Sequence, residues 1–289
     1  MEFPIPPLLY PNNLGSIGAK NYVEQQITPR NKPTRYTLPP SIIYHYTKFP
    51  TALQIIKGHK LKFSNPNSFN DIFDMHDGFI DFKASDQQKA EWAKETYINK
   101  ARDDKRRLKK LVLKNDKGFL EGMRSGIIDA RNSVGVCCFS KLNDNEVMWG
   151  HYAEKNTGIC LGFDFQPIET RKECVLIIEE VVYKDEIKPI SYFSEKDAAV
   201  KQWIFTKKIK WSYEYEVRAF INNKNCIYNW QGKDLFDFEK VCLKEIYFGT
   251  KVLRSDIEVI LDLLETCGYN VKVKMKMAIE GDIIRPINL

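Results

Sequence analysis

After residue 40 the strand-like and helix-like stretches do not alternate as a repeated β-α-β unit would, and this ordering limits the chain more than its composition does. Apolar, β-branched runs at 134–140, 159–165 and 175–183 follow one another with only one short helical pattern, 146–154, among them. Further strands are expected at 41–47, 60–64, 212–221, 245–249 and 271–277. Helical spacing marks a segment entered by Pro50 and stopped by Gly58, then 86–114, 118–130, 195–205 and 255–266. The expectation is an α+β fold with mixed, mostly antiparallel sheets: a single domain over 41–289 with a helical insertion near 84–131. Residues 1–40 hold eight of the thirteen prolines and little periodicity, so they read as an extended arm.

A chain of 289 residues, 43% hydrophobic and 28% charged, can bury a sizeable core. The start, Met1-Glu2-Phe3-Pro4-Ile5-Pro6-Pro7, lacks the basic and apolar regions of a secretory signal. No apolar run approaches the roughly 20 residues of a membrane span. A cytoplasmic protein with no membrane partner is expected. None of the seven cysteines forms a CxxC pair, and Cys137-Cys138 on a strand point to opposite faces. They read as thiols in a reducing compartment and not as a zinc ribbon or a disulfide framework.

Charge is unevenly placed. Residues 100–114 carry eight Lys or Arg against Asp103 and Asp104, a local excess equal to the whole formal net charge of +6. The stretch is either a solvated helix face or a site for nucleic acid or another acidic partner.

Four polar clusters stand out. In Trp211-Ser212-Tyr213-Glu214-Tyr215-Glu216-Val217-Arg218, strand alternation would put Glu214, Glu216 and Arg218 on one face, with neighbours about 6.5–7 Å apart. At that spacing the carboxylates raise one another's pKa while the guanidinium lowers it, which suits a catalytic acid or a structural ion network. At Tyr44-His45-Tyr46-Thr47, His45 and Thr47 share a face and present a donor and acceptor pair suited to a sugar hydroxyl. Phe69-Asn70-Asp71-Ile72-Phe73-Asp74 reads as a turn, or as the source of Asp71 and Asp74, with His76, for a divalent metal. Met148, His151 and Tyr152 share one face of a short helix.

In this order the clusters resemble a widespread bacterial family of unknown function. Its hallmarks are a tyrosine-rich opening strand, an Asn-Asp-Pro-Phe-Asp turn, a Met-Trp-x-His-Tyr helix leading into Gly and Phe-Asp, and a Trp-x-Tyr-Glu-x-Glu-x-Arg strand. The corresponding residues here span roughly 42–222 and include Gly158 and Phe163-Asp164; Ile72 replaces the proline, and Asn156 stands where many members carry a second histidine. More distantly, Tyr44-His45-Tyr46-Thr47 before a helix, Gly58 and a strand, with Glu214-Tyr215-Glu216 later, resembles ADP-ribosyltransferases.

That second resemblance implies an NAD-consuming bacterial effector, with NAD as substrate, that modifies a protein or nucleic acid or hydrolyses NAD. It implies Glu216, Glu214 and His45 as catalytic residues: Glu216 bonds the ribose hydroxyl and Glu214 positions the acceptor. His45 and Thr47 orient the ribose, Tyr152 stacks on nicotinamide, Arg218 or His151 meets the pyrophosphate, and Asn70 joins the cofactor site. Two other readings compete. One is a metal-dependent nuclease or hydrolase using Asp71, Asp74, His76 and His151, with the basic helix guiding nucleic acid; the other is a non-catalytic binding module of a bacterial defence or mobile-element system, in which Glu214, Glu216 and Arg218 form only a buried network.

Overall fold

Strands with apolar side chains at every second position must cover one face, and here eight of them pair edge to edge to do so. The protein is described by a computed structural model over residues 42–98, 101–165, 176–221, 228–230 and 233–289, so the arm expected at 1–40 lies outside the described residues. The described residues fall into two compact units: Asn65–Val134 with Lys184–Lys208, and the described part of Thr34–Ser64 with Gly135–Tyr183 and Ile209–Leu289. Helices are α1 (Phe49–Gly58), α2 (Asp86–Thr96), α3 (Arg102–Lys114), α4 (Asp116–Ser133), α5 (Glu146–His151), α6 (Lys196–Phe205) and α7 (Arg254–Thr266). No helix among the described residues is long and apolar enough to cross a membrane.

The second unit holds the large sheet. Its longer strands, with a small companion sheet, are β1 (Ile43–Thr47), β2 (Lys60–Lys62), β3 (Gly135–Ser140), β4 (Ile159–Phe163), β5 (Leu176–Glu180) and β6 (Glu216–Ile221), then β7 (Tyr228–Trp230), β8 (Lys233–Asp237), β9 (Leu243–Phe248), β10 (Val273–Glu280) and β11 (Ile283–Asn288). The eight-stranded order is β11-β10-β9-β4-β1-β3-β6-β5, while β7, β8 and β2 form the companion sheet. Within the large sheet every described pairing is antiparallel except β9 with β10. The mixed, mostly antiparallel α+β architecture is thus the one the sequence pattern implies.

One face of the sheet packs Ile43, Phe139, Leu161, Ala219 and Ile246 against Ala52, Ile55 and Ile56 of α1 and Ile257, Ile260 and Leu264 of α7. Each Ile, Leu or Phe among them contributes about 1.5–3 kcal/mol on full burial. The other face carries Tyr46, Cys160, Tyr247 and Met277 beneath Met148 and Trp149 of α5. In the first unit α2 begins at a Ser85–Gln88 capping box and α4 at the Asn115 side chain. Trp92 meets Tyr97 and Phe119 edge to face there, Phe193 packs at a tilt on Phe119, and the Trp203 indole donates to the Met75 carbonyl at 2.6 Å.

Two segments depart from the expected pattern. The single helix expected over 86–114 is interrupted: α2 ends at Thr96 and α3 begins at Arg102, because Thr96-Tyr97-Ile98-Asn99 is a run of weak helix formers. The strand expected over 212–221 begins only at Glu216, preceded by a 3-10 turn over Ile209–Glu214 and by Tyr215 at φ 45°. Strand β11 was not anticipated, although Gly281-Asp282, with Gly281 at φ 67°, supplies its hairpin turn.

After α5 the chain turns through three consecutive left-handed residues, Glu154, Lys155 and Asn156 at φ 50°, 57° and 71°. Each costs about 1–2 kcal/mol for a residue with a Cβ. Backbone hydrogen bonds offset this: Gly158 N donates to Ala153 O at 2.8 Å, Gly249 N to Gly158 O at 3.0 Å and Lys251 N to Asn156 O at 3.0 Å. A Cβ on Gly158 would lie 2.3 Å from the Thr47 carbonyl oxygen, whereas one on Gly150 would meet nothing within 4 Å. Gly158→Ala is therefore expected to lose about 2–3 kcal/mol in urea unfolding, as overpacked sites do. Gly150→Ala, inside α5, should gain about 0.5–1 kcal/mol.

Candidate functional site

The Glu-Tyr-Glu segment is shaped by hydrogen bonds from three directions, and these override its strand pattern. Ser140 Oγ donates to the Glu214 carbonyl at 2.8 Å, Lys141 N donates to the Tyr215 carbonyl at 2.9 Å, and the Asn145 side-chain amide donates to the Tyr213 carbonyl. Asn145 also caps α5 by accepting from Met148 N at 3.2 Å, so the cap and the turn are fixed together. The result corrects the expectation that Glu214, Glu216 and Arg218 project from one strand face. Glu214 leaves from the turn and accepts from the Tyr152 hydroxyl at 2.6 Å, while Glu216 opens β6.

Glu216 and Arg218 do share a strand face, and both are almost fully buried, at 2% and 0% exposure. Arg218 Nε and Nη2 each reach Glu216 Oε1 at 2.9 Å. The backbone of Glu216 is held as well: its N–H donates to the Tyr183 hydroxyl at 2.8 Å and its carbonyl accepts from Val181 N at 2.9 Å. A cleft of about 530 Å³ is lined by Glu216, Tyr183, Tyr213, Tyr215, Ser212 and Val181, with Lys141 and Glu180 also lining it and bonded to each other at 2.7 Å. Its size falls in the roughly 300–1,000 Å³ range of small-molecule sites. Tyr215 is 47% exposed and held in a left-handed conformation between two buried carboxylates, the kind of strain that accumulates where ligands bind.

Register settles where the other expected residues stand. Glu216 is opposite Ser140, Ser140 opposite Tyr44, Tyr44 opposite Gly162, and Gly162 opposite Glu245, so these five share one face. His45 and Thr47 alternate with Tyr44 and therefore face the other way, into the apolar layer. The His45 ring lies 5.5 Å from Phe139, Nδ1–H donates to the Cys138 carbonyl at 3.1 Å, and burial lowers its pKa below the usual imidazole value. His45, Thr47 and Glu216 thus do not line one cleft.

His151 is exposed and meets Tyr213 edge to face at 6.3 Å, which brings it to the cleft's aromatic wall. Asn70 belongs to the first unit, where it is exposed. Asp71 and Asp74 are buried there, Asp71 accepting from Phe73 N at 3.2 Å and Asp74 facing Lys207 at 3.8 Å; the His76 ring accepts from Gly78 N at 2.9 Å. Among the described residues no three His, Cys, Asp or Glu side chains converge as metal ligands.

Nothing in the sequence pattern singles out Tyr183 or Ser140, each the last residue of an expected strand. Glu245 was readable in principle, since it alternates with Tyr247 on an expected strand. Its Oε2 accepts from Tyr44 at 3.0 Å and Tyr247 at 2.8 Å, and burial together with this carboxylate holds both phenols well above their usual pKa.

Two measurements follow. Arg218→Ala breaks this buried ion pair and should cost about 3–5 kcal/mol in chemical denaturation. Tyr44 and Tyr247 keep their protons in the folded state above the pH near 10 at which unfolded tyrosines lose theirs. Stability is therefore full below about pH 10 and falls as pH rises beyond it, and tyrosinate absorbance should lag behind that of the denatured protein.

No curated protein and no solved structure matches the chain. Residues 148–219, from the first residue of the Met-Trp-Gly-His-Tyr segment to the one after Arg218, match the model of a family described as a protein of unknown function, DUF2971.

Proposed function

We propose that the cleft lined by Glu216 takes NAD and breaks the bond between its ribose and nicotinamide, with transfer to an acceptor or to water. The observation that carries this reading is Glu216, its carboxylate held by Arg218 and its backbone N–H by the Tyr183 hydroxyl, among the residues lining a cleft with three tyrosines and a lysine. As the C–N bond breaks, nicotinamide leaves with the bonding electrons and positive charge grows on the ribose C1′. A fixed carboxylate stabilises that charge, as in glycoside hydrolysis. The acceptor hydroxyl or water then bonds C1′ and gives up its proton.

The residue roles differ from those the resemblance implies. Tyr213 and Tyr215 supply aromatic faces for nicotinamide or adenine, and Lys141 takes the pyrophosphate, since Arg218 is wholly engaged inside the wall. Tyr152 acts through Glu214, which it holds at 2.6 Å. His45 and Thr47 have no part. Burial of both Glu216 and Arg218 favours a second reading, a non-catalytic module in which the pair is only an internal brace.

Incubation of the purified protein with NAD should release nicotinamide. Glu216→Gln should lower the rate about 10²–10³-fold, the loss typical of removing one electrostatic stabiliser, with the fold retained. Tyr215→Ala, at an exposed site, should raise KM more than it lowers kcat. Neither nicotinamide release nor label transfer from NAD to a cell lysate would end the proposal, and collapse of the Glu216→Gln fold would leave the brace.

A further inference from the structure

In the first unit α3 carries Arg102, Lys105, Arg106, Arg107, Lys109, Lys110 and Lys114, and among the described residues only Arg107 has a carboxylate partner, Asp104 at 3.3 Å. The helix is anchored through buried Val112 and half-buried Leu108, which leaves the opposite side to solvent. On that side Arg102, Arg106, Lys110 and Lys114 recur every fourth residue, and all four are exposed. A rise of 1.5 Å per residue sets them about 6 Å apart in one row. Lys109 flanks the row, as does exposed Asp103, which forms no ion pair among the described residues.

We infer that this face of α3 binds the phosphate backbone of a nucleic acid duplex without reading its sequence. Each strand of a duplex carries a phosphate about every 3.4 Å along the axis, so a row with a 6 Å repeat meets close to every second phosphate. No aromatic side chain stands among the cations, which removes the stacking platform that single strands use. An acidic protein surface fits less well. Such interfaces anchor on buried aromatic or apolar side chains, and Leu113, an apolar residue beside the row, is half-buried. The inference stands apart from the NAD reading, because α3 and the cleft belong to different units.

The test is binding of the whole protein to a labelled duplex of mixed sequence over a salt series. Four phosphate contacts give a slope of log affinity on log salt near −3.6, or about 150-fold weaker binding between roughly 50 and 200 mM salt. Arg102→Gln with Arg106→Gln, Lys110→Gln and Lys114→Gln should weaken binding at least about tenfold at the lower salt and flatten the slope. The same number of changes at exposed Lys57, Lys251, Lys272 and Lys274 should leave both unchanged. Protection of Lys110 and Lys114 from acetylation by bound duplex reads the same face without any substitution. The inference is overturned by no duplex binding at low salt, by equal loss in the control set, by tighter binding to a single strand of equal length, or by binding to polyglutamate alone.

Discussion

The second unit is organised around an ion pair set into a sheet. Glu216 and Arg218 occupy the wall of one face of the large sheet, where taking two charges out of water costs several kcal/mol per ion unless geometry and further hydrogen bonds compensate. Two guanidinium nitrogens on one carboxylate oxygen supply the geometry, and the Tyr183 hydroxyl fixes the backbone beneath it. This explains why the segment before β6 departs from strand. A continued strand would have put Glu214 beside Glu216 on the same face; the turn and the left-handed Tyr215 send it to Tyr152 instead.

The two faces of the sheet divide the labour. One is apolar and closed by α1 and α7, and it supplies most of the burial that holds the unit. The other mixes tyrosines, carboxylates and sulfur under α5. Strand alternation alone decides which residues belong to which face, so a single step along β1 separates Tyr44, in the row with Glu216, from His45 among the phenylalanines.

How far the sequence reaches can be judged from particular residues. The irregular order of strands and helices led to the α+β class, and the alternation in 216–221 correctly placed Glu216 with Arg218. Cys137 and Cys138 separated into buried and exposed thiols as adjacent strand residues must. The Glu214 turn was not legible, because the bonds that make it come from Ser140, Lys141 and Asn145, about 70 positions away. The placement of His45 was not legible either. Its neighbours show that it alternates with Tyr44, but only the register of β1 against β3 and β3 against β6 shows which of the two shares a face with Glu216. The break between α2 and α3 was legible from propensity but was masked by the charge pattern that runs across it.

The left-handed turn after α5 ties distant parts of the chain into one seam. Gly158 and Asn156 accept from Gly249 and Lys251, so the β4–β9 ladder continues past its last strand residues through backbone held by two glycines. Amides sealed this way open only when the sheet itself separates. Deuterium would reach Gly249 late, despite its place in a connection, and a new chain terminus cut between 154 and 158 would unzip the sheet from its middle.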